Sequence, residues 1–89
     1  MSAVEDRLAE LGLSVPEVTA PLASYVPAVI SGSYVYTSGQ LPFISGALQA
    51  TGRLGSEIEV DEGVSLAQIC GLNAIAAVKS VIGDLDRVV

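Results

Sequence analysis

Apolar and polar positions follow two periods along the chain. Between Tyr34 and Ser38 the side chains alternate: Tyr34, Tyr36 and Ser38 fall on one side, Val35 and Thr37 on the other. That period of two predicts a half-buried strand. An apolar stretch at Val26–Ile30, followed by Ser31-Gly32-Ser33, predicts a hairpin whose first strand begins at an edge because Pro27 cannot donate to a ladder. From Asp61 onward the period changes to that of a helix. Leu66, Ile69, Cys70, Asn73, Ala77 and Val81 share one stripe, which predicts a long helix from about Glu62 to Ile82 with Asp61 as N-cap. The opposite side, with Leu72, Ile75 and Ala76, carries only Lys79 as a charge. A helix so apolar needs cover on most of its circumference.

Shorter elements flank these. Ser2-Ala3-Val4-Glu5 has the form of a capping box, and Val4, Leu8 and Leu11 share a face, predicting an amphipathic helix over Ala3–Leu11 that Gly12 ends. Residues 13–22, with Pro16 and Pro21, read as an extended connector. Phe43 to Glu57 is rich in Gly, Ser and Thr, with a turn expected at Ser45-Gly46 and an irregular loop at Gly52-Arg53-Leu54-Gly55. The expected organisation is one domain in three stretches: 1–22 helix and connector, 23–60 hairpin and loop, 61–83 long helix. After Gly83, Asp84-Leu85-Asp86 reads as a turn and Arg87-Val88-Val89 as the opening of a strand.

Composition narrows the function. The chain has 89 residues, is 51% hydrophobic and carries only 4% aromatics, so Val, Ile, Leu and Ala must build its core. A chain of this length buries roughly 60–65% of its unfolded surface, a thin core for so apolar a sequence. Another subunit or further chain is expected to cover the surplus. The net charge of −6 and four scattered basic residues, Arg7, Arg53, Lys79 and Arg87, argue against nucleic acid as a partner. With no histidine and a single cysteine, Cys70, neither a Ser-His-Asp or Cys-His arrangement nor a usual zinc site can be built, and no metal or organic cofactor is implied. Glu5, Asp6 and Glu10 do not suit a targeting segment. Gly63–Ile82 is long and apolar enough to raise a membrane span, but Gln68, Asn73 and Lys79 would each be costly in lipid. A soluble, cytoplasmic protein without a membrane partner is the expectation.

Some side chains invite chemistry and are better read as structural. Cys70 sits mid-helix among aliphatics, and the even spacing of Glu57, Glu59, Asp61 and Glu62 suits a solvated face. Arg53, between two glycines, is a solvated loop charge before it is an anion-holding arm. Asn73 lies on an apolar stripe and must find partners, so it is expected to tie the helix to nearby loop backbone. The strand exit Ser38-Gly39-Gln40-Leu41-Pro42 is different. Gly39 lets backbone approach a ligand closely, Pro42 fixes the direction of departure, and free N–H groups with a hydroxyl could hold a small polar molecule.

This exit, with Ser24-Tyr25-Val26-Pro27-Ala28-Val29 before it and Leu72-Asn73-Ala74-Ile75 after it, resembles the Rid, or YjgF, family of reactive-intermediate deaminases, often labelled endoribonuclease L-PSP. The similarity runs with gaps from about Ala20 to Val89. The Ser-Gly-Gln-Leu-Pro box is its most specific part, and the helix around Asn73 adds weaker support. The resemblance implies an α+β fold of the chorismate-mutase-like type: an antiparallel-rich mixed sheet with helices packed on one face, assembled as a homotrimer with clefts between subunits. It implies small carboxylate-bearing imines or enamines as substrates, hydrolysed to a 2-keto acid and ammonia. Tyr25 would stand at the mouth of the pocket, Ser38 and Gly39 would line its floor, and Gln40 would join them.

In the family's deaminases an Arg anchors the substrate carboxylate and a Glu helps activate water. Both belong to a C-terminal half, beyond Val89, so this chain is expected to be the N-terminal part of a longer domain. Two departures mark a divergent branch. Tyr25 is followed by Val26-Pro27 where the deaminases usually have Ser-Gln, and Gly63-Val64-Ser65 replaces a Gln-Thr pair. A non-catalytic binding trimer on the same scaffold is the alternative, and ribonuclease activity stands third on charge grounds.

Overall fold

The computed structural model describes residues 2–18 and 24–89. The part of the expected connector from 19 to 22, Pro21 included, lies outside the described residues. The order of elements is α1 (Ala3–Glu10), β1 (Ala28–Ser31), β2 (Tyr34–Thr37), β3 (Phe43–Ile44), β4 (Ala47–Leu48), α2 (Val60–Ile82) and a 3-10 turn at Leu85–Arg87. The class is α+β, as the resemblance implied. Instead of one mixed sheet there are two separate antiparallel pairs, β1–β2 and β3–β4, with one isolated parallel bridge between Leu54 and Ile58. The exit after Thr37 explains the break: Gly39 to Pro42 turns the chain off the ladder, so the second hairpin pairs only with itself.

The first hairpin pairs Ala28 with Thr37, Val29 with Tyr36, Ile30 with Val35 and Ser31 with Tyr34. Its turn is the two residues Gly32-Ser33, and Gly32 takes φ 60, which a hairpin of this length asks of a first central residue. Val26 and Pro27 stay outside the strand, although the Pro27 carbonyl accepts from the Ser38 N–H at 3.0 Å. Directly opposed residues share a face. Ala28 is buried against α2, whereas Val29, Tyr34 and Tyr36 stand exposed on the other face, with the two tyrosine rings 6.3 Å apart. In the second hairpin the expected turn at Ser45-Gly46 is present. Both residues have positive φ, 50 and 81, the combination of a type I′ turn.

The long helix α2 is the spine. Asn73, Ala76 and Ala77 are its buried residues, Ala77 completely so. Ala76 thus belongs to the packed side and not, as its position suggested, to the outer one. Small side chains there let the hairpin backbone approach, as close packing requires. The helix starts earlier than expected, at Val60. Glu59 is the N-cap and its side chain makes no capping bond; its carbonyl accepts from the Gly63 N–H at 2.9 Å. Asp61 is therefore not the cap but a first-turn residue, favourable with Glu62 beside the positive end of the helix dipole. By length and composition α2 could cross a membrane. In this fold it is the core helix, on which both hairpins pack.

The short helix α1 closes as a Schellman motif. The Gly12 N–H reaches Ala9 O at 3.0 Å, the Leu13 N–H reaches Leu8 O at 2.8 Å, and Gly12 takes φ 76. Half of the expected capping box forms. Ser2 Oγ accepts from the Glu5 N–H at 3.0 Å, while the Glu5 carboxylate takes the Ser2 hydroxyl at 3.4 Å and Lys79 Nζ at 3.1 Å. The remaining N–H groups of the first turn find Asp86. Its Oδ2 accepts from Ala3 at 2.9 Å and its Oδ1 from Val4 at 3.2 Å. The turn expected at Asp84-Leu85-Asp86 forms as a 3-10 turn over Leu85–Arg87, capped by Asp84, whose Oδ1 accepts from the Asp86 N–H at 3.0 Å; of the residues expected to open a strand, Arg87 belongs to this turn and Val88 is extended.

Candidate functional site

The sequence placed the site at the exit of β2, and the structure shows how that exit is held. Ser38 lies one residue past the strand, yet its N–H still reaches Pro27 O, and its hydroxyl donates to the same carbonyl at 3.3 Å. Gln40 folds back over it, with Nε2 donating to Ser38 O at 3.4 Å and Ser38 Oγ at 3.5 Å. Ser38, Gly39 and Gln40 therefore form one unit. Gly39 is exposed, and a Cβ there would meet nothing within 4 Å, so the space over its backbone is open. The hydroxyl proton of Ser38 is spent on Pro27, which makes that side chain a tie that holds the exit open; free donors at the exit have to come from backbone.

Tyr25 is two residues upstream of Pro27, so the paired contact between Pro27 and Ser38 tethers its segment to the exit. The side chain is 43% exposed, and among the described residues its phenol makes no hydrogen bond, either to the exit or elsewhere. The structure thus unites Ser38, Gly39 and Gln40 directly and brings the Tyr25 segment to them through backbone.

Asn73, 1% exposed, fixes the far side of the exit. Its Nδ2 donates to Leu41 O and to Phe43 O, both at 3.0 Å, tying α2 to the backbone that carries Pro42. This is the structural role the apolar stripe demanded. Cys70 is half-buried on the same helix. Among the acidic residues Glu57 has a specific task that its spacing hid. Its carboxylate accepts from Ser56 Oγ at 2.6 Å and from the Arg53 N–H at 2.9 Å, and these bonds, the hydroxyl first, hold its pKa below the usual carboxylate range. Glu59, Asp61 and Glu62 are exposed, as is Arg53. Among the described residues no three His, Cys, Asp or Glu side chains converge to hold a metal ion.

Among the described residues, clefts also lie away from the exit. One, of about 610 Å³, is bounded by Ser14–Val18 of the connector, the β3–β4 turn and Ile69, Leu72 and Asn73 of α2. Another, of about 400 Å³, lies between the β1–β2 turn and Val78, Ile82 and Arg87. Neither is lined by Tyr25, Ser38, Gly39 or Gln40.

An α+β chain with a tethered hairpin exit and a long core helix matches, over residues 5–89, the family described as "YjgF/chorismate mutase-like, putative endoribonuclease", and the chain belongs to that family. It is 39% identical over 85 residues to Protein TCP17 of Trypanosoma cruzi, covering 96% of this chain and 53% of that protein. Among solved structures it is similar to a "putative endoribonuclease" of Shewanella oneidensis MR-1, with a TM-score of 0.87 and 44% identity, over 93% of this chain and 55% of that one. It is also similar to the protein Atu1372 of Agrobacterium tumefaciens, whose function is unknown, with a TM-score of 0.79 and 42% identity, over 92% of this chain and 50% of that one. The chain thus spans about half the length of these relatives.

Proposed function

We propose that the protein is a Rid-type hydrolase of small imines or enamines that carry a carboxylate, releasing a 2-keto acid and ammonia. The observation that carries this reading is the Ser38-Gly39-Gln40 exit, held open by Pro27 and Asn73 in a chain of the YjgF family. The chemistry asks little of the protein. A protonated imine carbon is already electrophilic, so a water adds to it, the carbinolamine expels ammonia, and the keto acid remains. The site needs to anchor the carboxylate, orient the imine and position that water. Backbone donors near Gly39 would line the pocket floor, with Tyr25 over the mouth. The anchoring Arg and the water-activating Glu of the family's deaminases would come from the part of the protein beyond Val89.

The protein would work as a cytoplasmic homotrimer that binds its small-molecule ligand between subunits. Exposed Val29, Tyr34 and Tyr36 on the sheet and Val60 and Val64 on α2 are the apolar surfaces such an assembly would cover. The second reading is a trimer that binds the same class of molecule without turnover. It is favoured by the commitment of the Ser38 hydroxyl to Pro27, which removes the one side-chain proton donor that the exit's serine could offer a reaction. Ribonuclease activity ranks below both. Of the four basic side chains, Arg7 pairs with Glu10 and Lys79 with Glu5, leaving Arg53 and Arg87 without a carboxylate partner among the described residues, too few in a chain of net charge −6 to gather phosphates.

The test is ammonia release from 2-iminobutanoate and 2-iminopropanoate, generated in the assay, with the full-length protein. Acceleration over the spontaneous hydrolysis supports the hydrolase. Saturable binding of 2-oxobutanoate without acceleration supports the binder.

A further inference from the structure

The 610 Å³ cleft is distinct from the hairpin exit and has the size of a small-molecule pocket. Its apolar wall is Val18 on the connector, Phe43 and Ile44 on β3, and Ile69 and Leu72 on α2, with Ser14 and Ser45 at its polar margin. Two of these elements are fixed to each other, because Asn73 hydrogen-bonds the Phe43 carbonyl from the helix. Asn73 also lines the cleft. Among the described residues both of its hydrogen bonds are made by Nδ2, and its Oδ1 accepts none. Among the described lining residues the one charged side chain is Glu17, in a chain of net charge −6.

We infer that this cleft binds a small amphipathic amine, with its apolar body between Phe43, Ile44, Ile69 and Leu72 and its ammonium head toward Glu17. The chemistry selects against the ligands proposed for the hairpin exit: a carboxylate would meet the Glu17 charge, with no cation among the described lining residues to offset it. A neutral ligand of the same shape would keep the apolar contacts and lose the charge. The cleft is thus a second site with the opposite charge preference.

The test is a titration of isotope-labelled full-length protein followed by NMR, with tryptamine, tryptophol and indole-3-propionate as probes. The inference expects tryptamine to shift the Asn73 side-chain amide and the Phe43 and Ser45 backbone amides, with weaker effects from tryptophol and the weakest from indole-3-propionate. Glu17→Gln should weaken tryptamine about threefold, the scale of an exposed ion pair, and leave tryptophol unchanged. Ile44 is 49% exposed, so Ile44→Trp should fold, fill the cleft and abolish the shifts at Asn73. The inference is overturned if the three probes act equally, or if none moves these amides because another copy or another part of the protein fills the cleft. It is equally overturned if the shifts fall on Tyr25, Ser38, Gly39 and Gln40, which would return the ligand to the exit.

Discussion

Replacing Asp86 with alanine should release the N-terminal helix while leaving the hairpins and α2 in place. The helix α1 has only eight residues, too few to persist alone, so it depends on its caps and its docking. The three free N–H groups of its first turn are shared between two side chains: Ser2 takes Glu5, and Asp86 takes Ala3 and Val4. Losing a side-chain cap costs about 0.5–2 kcal/mol. Losing the negative charge beside the helix N-terminus adds about 0.3–1 kcal/mol, less at high salt. Because Asp86 is solvent-exposed, the lower halves of these ranges apply, about 1–2 kcal/mol together. A loss of that size multiplies the opening of α1 by roughly 5–30-fold. Hydrogen exchange read by mass spectrometry on the full-length protein should show it as lost protection in residues 3–10, with α2 unchanged. Asp86→Asn keeps an acceptor without the charge and should fall between the two. If Asp86→Ala leaves protection of α1 unchanged, the two bonds from Ala3 and Val4 carry no stability. If α1 and α2 lose protection equally, the helix is not a separate unit and the local reasoning is wrong.

Other outcomes follow from the same geometry. Asn73→Leu should destabilise by about 2–4 kcal/mol, since it strands the carbonyls of Leu41 and Phe43 beside a buried helix; urea unfolding measures it. Gly52→Ala should cost about 1–3 kcal/mol in the same assay, because φ 141 suits glycine and a Cβ would lie 2.7 Å from that of Glu57. The carboxylate of Glu57 has a lowered pKa in the folded protein, so its contribution is present above the ordinary glutamate range and is lost as pH falls through the folded value. Glu57→Gln should lower stability near neutral pH, where that contribution is present, and flatten the profile on the acidic limb, where the wild-type protein loses it anyway. Tyr25→Ala should weaken binding of 2-oxobutanoate with little change in Tm, given the exposure of Tyr25; parallel losses would make Tyr25 a packing residue.

Local chemistry made much of this fold legible in advance. The alternation at Tyr34–Ser38, the paired turn residues Gly32-Ser33 and Ser45-Gly46, and the stripe through Asn73 and Ala77 each carry their own physical signal, and each element formed. Asn73 was readable as a tie because an amide on an apolar stripe has to be satisfied. What stayed hidden depended on distant partners. Nothing near Asp86 in sequence reveals that it caps a helix 83 residues earlier, nor does the spacing of the acidic run set Glu57 apart. The start of α2 was missed for a related reason. Asp61 is a good N-cap by type, but the extended backbone at Glu59 already provides the first helical carbonyl. At the candidate site the pattern identified the exit, while the use of the Ser38 hydroxyl emerged only with Pro27 in place.

If a small carboxylate-bearing molecule sits at the exit of β2, a crystal structure of the full-length protein with 2-oxobutanoate will show it. The keto acid is expected beside Gly39, bounded by Ser38 and Gln40 and covered by Tyr25. A ligand bound elsewhere, or an exit filled by protein in the assembled molecule, would contradict the proposal.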